Sequence, residues 1–153
     1  MASLSRSTVG RRFRSERGAE LVEVALITPI MLFMLAGIFD MGFLLNHYTV
    51  ATNAAREGAR VAAVPGWTTP DVQARVNSYL SGGGLPTTGV VTEVEPLAVT
   101  AGARTFNAVR VTVSYPYNYI MLGTIAEFFN DDPDRGATIT VAATMRLEVA
   151  AGL

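Results

Sequence analysis

The segment VALITPIMLFMLAGIFDMGFLL, residues 24–45, decides how this chain is organised. Its 22 residues are almost all apolar, and the exceptions are Thr28, Pro29 and Asp40. At about 1.5 Å per residue, a helix of this length measures roughly 33 Å, which is enough to cross the hydrocarbon core of a bilayer. We therefore predict a membrane-spanning helix over residues 24–45, in which Pro29 removes one backbone hydrogen bond and introduces a mild kink.

Two other interpretations of this segment agree less well with its length. A cleaved secretory signal has an apolar run of about 7–15 residues, whereas this run is longer and has two acidic residues, Glu20 and Glu23, at its entrance. A buried helix of a soluble protein is the second alternative. It would have almost no polar face to present to water, because nearly every position is apolar.

The charges are distributed unevenly and indicate the orientation in the membrane. Residues 1–18 hold five of the twelve basic residues, all arginine, and one of the thirteen acidic residues. A basic N-terminal head stays in the cytoplasm, so we expect a single-pass protein of the cytoplasmic membrane whose C-terminal part lies outside the cytoplasm. The net charge of -1 gives no reason to expect nucleic-acid binding.

The helical pattern continues past the apolar run. Residues 46–63 are rich in alanine and contain no proline, and Pro65-Gly66 then ends the pattern. The sequence therefore predicts one helix over residues 19–63, of which the first half lies in the membrane and the second half projects from it.

Several residues of this helix are candidates for helix packing. An acid at the depth of Asp40 usually faces protein or water, so Asp40 either pairs with an arginine or a backbone group of a neighbouring helix, or stays hydrated near the outer interface. Glu57 and Arg60 are three residues apart and are expected to pair. Glycine in a helix interior costs about 1 kcal/mol, which indicates close packing at Gly58. The predicted packing residues are Asp40, Arg56, Glu57, Gly58 and Arg60.

The remainder, residues 65–153, predicts a small α+β domain outside the membrane. A short helix is expected to begin with Thr69 as its N-cap and to end at Gly82-Gly83-Gly84. Alternating apolar and polar residues then predict an antiparallel sheet of about three strands. These are a weak strand over residues 90–100 that Pro96 interrupts, and two regular strands, residues 109–115 and 138–149, joined by a loop with an apolar piece at residues 120–129.

No pattern of catalytic or metal-binding residues is present. The chain has no cysteine, which excludes disulfides and thiol chemistry. His47 is the single histidine, and no serine motif accompanies it, so a surface or interfacial role is expected for it rather than general-base catalysis. The segment NDDPDRG, residues 130–136, lacks the glycine and glutamate that an EF-hand requires, and a turn is predicted there, with a weak calcium site at residues 130–134 left open. We expect no enzyme activity, no metal and no cofactor.

The order of features at the N-terminus resembles the type IV prepilin signal: an arginine-rich head, Gly18, Ala19, then Glu23 and an apolar helix. The segments RGAELVEVALITPIMLFMLAGIFDMGFLLN and ATNAAREGARVAA look like the TadE-like family of minor pseudopilins, which belongs to the tight-adherence (Flp) pilus system. The later segments VRVTVSYPY and ATMRLE are also similar to the closing strands of that family. The resemblance covers most of the chain, and residues 65–105 are the least characteristic.

This resemblance implies that residues 1–18 are a leader, which a prepilin peptidase removes between Gly18 and Ala19 while the membrane helix remains on the mature protein. Cleavage creates an amino group on Ala19, one helical turn before Glu23. An ion pair between Glu23 and that amine, in the same chain or in a neighbour, would compensate a carboxylate at the bilayer edge and serve assembly. Glu20 departs from the family pattern, in which an apolar residue is common at that position.

The function implied by the resemblance is assembly of a type IVb pilus. The expected partners are the prepilin peptidase, other pilins or pseudopilins, the inner-membrane assembly platform and the lipid bilayer. The alternative is a membrane-tethered module that binds a ligand outside the cell without entering a pilus.

Overall fold

The computed structural model describes residues 12–127 and 136–148 of the chain. A single helix, α1, runs from Arg12 to Ala62 and continues through Pro29 without interruption. Gly66, which lies four residues beyond the end of α1, has a φ of +88°, a conformation that glycine adopts without strain. The long N-terminal helix predicted from the apolar run and the alanine-rich segment is thereby confirmed.

Helix α2 extends from Thr69 to Gly82, and its N-cap is Thr68. The prediction that Thr69 caps this helix was therefore wrong by one residue. The physical reason is Asp71, whose Oδ2 accepts hydrogen bonds from the backbone N–H of Thr68 at 2.9 Å and from its hydroxyl at 2.6 Å. This contact fixes the extended backbone of Thr68 as the boundary and leaves Thr69 inside the first turn, where proline at the next position is also tolerated.

Three antiparallel strands follow in the spatial order β1-β2-β3: β1 (Val91–Ala101), β2 (Arg104–Asn118) and β3 (Gly136–Arg146). The expectation that Pro96 interrupts the first strand was wrong, because β1 is continuous and Pro96 pairs with Val109 of β2. An edge strand is hydrogen-bonded on one side only and tolerates a proline for that reason. The turn between β1 and β2 places Gly102 at a φ of +62°, as a two-residue hairpin of this kind requires.

The connection between β2 and β3 is more ordered than predicted. Strand β2 continues to Asn118, and a short helix, α3, spans Met121–Glu127 where the sequence predicted a loop with an apolar piece. Residues 130–134, the segment of the weak calcium-site hypothesis, lie outside the described residues, as does Val149 at the end of the last predicted strand.

The C-terminal half of α1 lies at the centre of the core. Helix α2 and the inner face of the sheet both pack against it, so these α1 residues belong to the same packed unit as α2 and the sheet. The predicted inward positions of β2 are confirmed, since Val109, Val111 and Val113 are fully buried and Tyr115 nearly so. The α1 residues of this core are small: Ala51, Ala54, Ala55, Ala59 and Ala62, and Ala63 follows directly after the helix. The fold is therefore α+β, a long N-terminal helix followed by a short helix and a three-stranded antiparallel sheet.

Candidate functional site

The N-terminal half of α1 makes almost no contact with the rest of the chain. Between Gly18 and Leu35 every side chain is exposed. The most apolar 18-residue window of the helix has a mean hydropathy of 2.3, and only 6% of that window is buried. Surface of this kind requires an apolar environment, since soluble monomers rarely expose contiguous apolar patches of such extent. The segment is consistent with a single-pass membrane anchor.

The residues of the predicted processing site lie at the start of this exposed stretch. Gly18, Ala19, Glu20 and Glu23 are all helical and exposed. Ala19 and Glu23 are separated by four residues on a continuous helix, so their side chains project from one face. In this arrangement the backbone nitrogen of Ala19 lies about one helical turn below Glu23.

Asp40 has the most distinctive environment on α1, because its side chain is only 1% exposed. Its Oδ1 accepts the backbone N–H groups of Ile120 and Met121, each at 3.0 Å, and its Oδ2 accepts that of Leu122 at 2.7 Å. The first N–H groups of a helix have no partner within the helix, and they favour a negative charge. Asp40 thus supplies to α3 the cap that the local sequence does not. Asp40 therefore pairs with backbone groups of a neighbouring helix, which is one of the alternatives that the sequence left open. That helix, α3, belongs to the same chain.

A second contact fixes the same level of α1 to the sheet. The hydroxyl of Tyr117, on β2, donates a hydrogen bond to the backbone carbonyl oxygen of Asp40 at 3.1 Å. Burial raises the pKa of Tyr117, and the nearby Asp40 carboxylate adds to this effect, so the hydroxyl remains a proton donor. Asp40 is therefore held through its carboxylate by α3 and through its main chain by β2.

His47 lies two helical turns after Asp40, on the same face of α1. Its ring meets those of Tyr115 and Tyr117 edge-on, with centroid distances of 5.6 Å and 5.0 Å. Its Nδ1 is buried and has no hydrogen-bond partner among the described residues. Burial lowers the pKa of His47, which favours the neutral ring. The half-buried position agrees with an interfacial histidine that serves packing.

Glu57 pairs with α2 more closely than with its own helix. Arg75 donates from Nη2 to Glu57 Oε2 at 2.7 Å, whereas Arg60 Nε lies 3.9 Å from the same oxygen. The hydrogen bond from Arg75 is the main cause that lowers the pKa of Glu57, and the positive charges of Arg60 and Arg75 contribute less. The expected pair with Arg60 therefore forms as the weaker of two contacts. Arg56 is exposed and donates to Asn53 Oδ1 at 3.4 Å.

Gly58 is a point of close approach between α1 and its neighbours. A Cβ atom at this position would lie 2.7 Å from Cγ2 of Val76 on α2 and 3.3 Å from Cγ1 of Val111 on β2. The close packing that Gly58 serves thus lies within the chain, between α2 and the sheet.

The face of α1 that receives the sheet follows a spacing of three and four residues. Its members are Ala36, Asp40, Leu44, His47, Ala51, Ala55, Gly58 and Ala62. Asp40 and His47 occupy the same face as the buried alanines. This spacing is the sequence signal that would have placed both residues against the outer unit, which consists of α2, α3 and the sheet. Of their partners, Tyr117 continues the alternation of inward residues along β2, whereas the start of α3 carried no comparable signal.

Comparison with known proteins gives a match to one family. The model of the family described as TadE-like protein matches residues 18–60. Comparison with curated proteins gives no match, and neither does comparison with solved structures. The matched segment is the greater part of α1, from the predicted cleavage position through the exposed apolar stretch to the packed alanines. Over residues 18–60 the chain is therefore similar to the TadE-like family, and the resemblance predicted from the sequence is confirmed there.

Proposed function

We propose that this protein is a minor pseudopilin of the tight-adherence (Flp) type IV pilus system, anchored in the cytoplasmic membrane by α1 with its N-terminus inside. The observation that carries the proposal is the TadE-like match over residues 18–60. The match indicates a relation to the Tad pilus, and it includes the apolar stretch of residues 18–35, which is exposed throughout.

The proposed maturation step is hydrolysis of the peptide bond between Gly18 and Ala19 by a prepilin peptidase. The exposure of both residues on the described helix supports access from outside the chain. The mature protein then begins at Ala19 with a new positive charge, and it loses the arginines of the leader. Glu23, exposed and one turn away, is the proposed partner of the new amine within the chain or in a neighbouring subunit.

The packing of α1 indicates which of its surfaces are free for assembly. Asp40, Gly58 and Glu57 are engaged with α2, α3 or β2 of the same chain. The exposed surface of residues 18–35 remains available, and Arg56 and Arg60 project from the opposite face of the outer half. We therefore assign contacts with other pilins and with the assembly platform to the N-terminal stretch and leave the sheet-facing residues a structural role.

Mass spectrometry of the membrane-extracted chain tests the proposal. Expression with an active prepilin peptidase is expected to give a mature N-terminus at Ala19, and expression in a matched strain without the peptidase should give the full-length chain. A Gly18→Leu variant, which alters the residue before the cut, should stay unprocessed in both strains. An intact leader in the presence of active peptidase would contradict the proposal and would favour the alternative of a membrane-tethered binding module.

A further inference from the structure

The start of α3 presents three exposed apolar side chains beside the membrane helix. Tyr119, Ile120 and Met121 are 37%, 47% and 43% exposed. They directly adjoin the backbone N–H groups that Asp40 binds, so their distance from α1 is fixed by hydrogen bonds of 3.0 Å or less. They continue the exposed apolar surface of α1 sideways onto a second element.

The depth of this element follows from the exposed apolar residues of α1 that lie beyond Asp40 along the chain. These residues are Met41, Phe43 and Leu45. If the apolar span reaches Leu45, Asp40 and the backbone bound to it lie about 7.5 Å inside the outer end of the span, at 1.5 Å per residue. Because the apolar span of roughly 33 Å and the hydrocarbon core of about 30 Å are nearly equal in length, Asp40 then lies in the outer part of the hydrocarbon core, close to the headgroup region.

The backbone at the start of α3 is suited to that environment. An unpaired N–H group costs several kcal/mol in contact with lipid chains, on the order of the values for transfer to hydrocarbon. The N–H groups of Ile120, Met121 and Leu122 are all bound by the Asp40 carboxylate. The same bonds enclose the carboxylate, so neither the acid nor these donors is left facing lipid.

We propose that residues 119–121 insert into the outer leaflet of the bilayer that α1 crosses, at the boundary between the headgroups and the hydrocarbon core, and that they hold the sheet against the membrane surface. The partner is the lipid itself, indicated by the continuity of these side chains with the apolar span. Tyr119 suits this boundary because its ring is apolar and its hydroxyl is polar. The inference rests on the membrane anchoring of α1 and is independent of a role in the pilus.

Spin-label accessibility in liposomes provides the test. The chain has no native cysteine, so single-cysteine variants of the full chain carry one nitroxide each. The test position is Met121→Cys. The references are Leu32→Cys, exposed in the middle of the apolar stretch, and Val91→Cys, exposed at the start of β1. Each labelled protein is reconstituted in phosphatidylcholine vesicles and measured with oxygen, which concentrates in lipid, and with a water-soluble nickel chelate.

The label at position 121 is expected to show higher oxygen and lower nickel accessibility than the label at 91, with values between those at 91 and 32. Nickel accessibility at 121 equal to that at 91 would overturn the proposal, since the surface would then face water. Low accessibility to both reagents would also overturn it, because protein, such as a second copy of the chain, would then cover the surface. A nickel-accessible label at 32 would refute the anchoring itself. An Ile120→Cys label should repeat the result at 121 if Met121→Cys disturbs packing.

Discussion

The carboxylate of Asp40 accepts the backbone N–H of Leu122 at 2.7 Å, although 82 residues separate the two along the chain. Two further N–H groups, from Ile120 and Met121, bind the same carboxylate. The contact joins the inner end of the docked part of α1 to the first turn of α3. It fixes the depth at which the outer unit begins, and it explains how an acid is accommodated within an apolar stretch.

Replacement of Asp40 should weaken the docking of α3. Asp40→Ala leaves three backbone donors without their acceptor, and we expect the free energy of unfolding to fall by about 2–3 kcal/mol, as for removal of a charged hydrogen-bond partner. Asp40→Asn retains one acceptor oxygen and should lose less. Urea unfolding in detergent micelles, followed by fluorescence of the single tryptophan, Trp67, measures both. Glu20→Ala, an exposed acid on the same helix, is the control, and a loss no larger than that of the control would contradict the role of Asp40.

Gly58→Ala should destabilise the protein although alanine is the better helix former. The new Cβ would lie 2.7 Å from a methyl group of Val76, a stiff side chain with little freedom to move. Overpacking costs about 1–3 kcal/mol, and the gain in helix propensity returns about 1 kcal/mol, so a net loss on the order of 1 kcal/mol is expected in the same urea experiment. Gly42→Ala is the matched control, because within the described part of the chain nothing outside the backbone of its own helix lies within 4 Å of its Cβ position. Equal stability of the two variants would argue against close packing at Gly58.

The stability of the outer unit should decrease as the pH falls below about 6.5, the ordinary pKa of histidine. Burial lowers the pKa of His47, so the unfolded chain binds the proton more readily than the folded one. The stability is therefore fully present above the ordinary pKa and is lost as the pH falls towards the folded pKa. His47→Gln should remove this slope, because the chain has no second histidine. Unfolding curves at a series of pH values would show an unchanged slope if His47 were not responsible.

Arg75 should contribute more to stability than Arg60, because its contact with Glu57 is shorter and is a hydrogen bond. Arg75→Gln and Arg60→Gln form a matched pair that removes one positive charge each. The difference between the two variants should be clear at low ionic strength and should shrink with added salt, as for exposed ion pairs in general. A larger loss for Arg60→Gln would show that the contact within α1 dominates.

Glu23 and Glu20 should differ in their effect on pilus assembly. Glu23→Ala removes the proposed partner of the amine formed on Ala19, and piliated cells are expected to become rare, whereas Glu20→Ala should assemble nearly as the wild type does. Counting pili by electron microscopy, with immunoblots for protein level and leader cleavage, separates an assembly defect from a processing defect. Equal loss for the two variants would contradict the pairing of Glu23 with the amine.

The long helix and the sheet were predictable because their signals are local. The apolar run and the alanine-rich segment define α1, and the alternation of valines with polar residues defines β2 and the inner face of the sheet. The position of Pro96 could not be judged without the order of the strands, since the same proline would disrupt a central strand. The choice between Thr68 and Thr69 as N-cap depended on which of the two Asp71 contacts.

The candidate site was predictable only in part. Asp40 and Gly58 were identified as packing residues because an acid in an apolar stretch and a glycine in a helix interior each need compensation. Their partners lie 14 or more residues away, on α2, β2 and α3. Such pairs depend on tertiary placement, and no spacing within a single element reveals them. For the same reason, the sequence predicted Arg60 as the partner of Glu57, whereas the closer partner in the structure is Arg75 on α2.

The continuity of α1 has a mechanical consequence. The sheet and α2 pack on this helix from the level of Ala36 to that of Ala63, and the membrane segment is the same helix without an intervening linker. Force or torque applied to the outer unit is therefore transmitted along the axis of α1 to the residues within the bilayer. The one proline of the helix, Pro29, lies below the docked region. Bending of α1 at Pro29 tilts the outer unit as a rigid body and leaves the contacts within that unit in place.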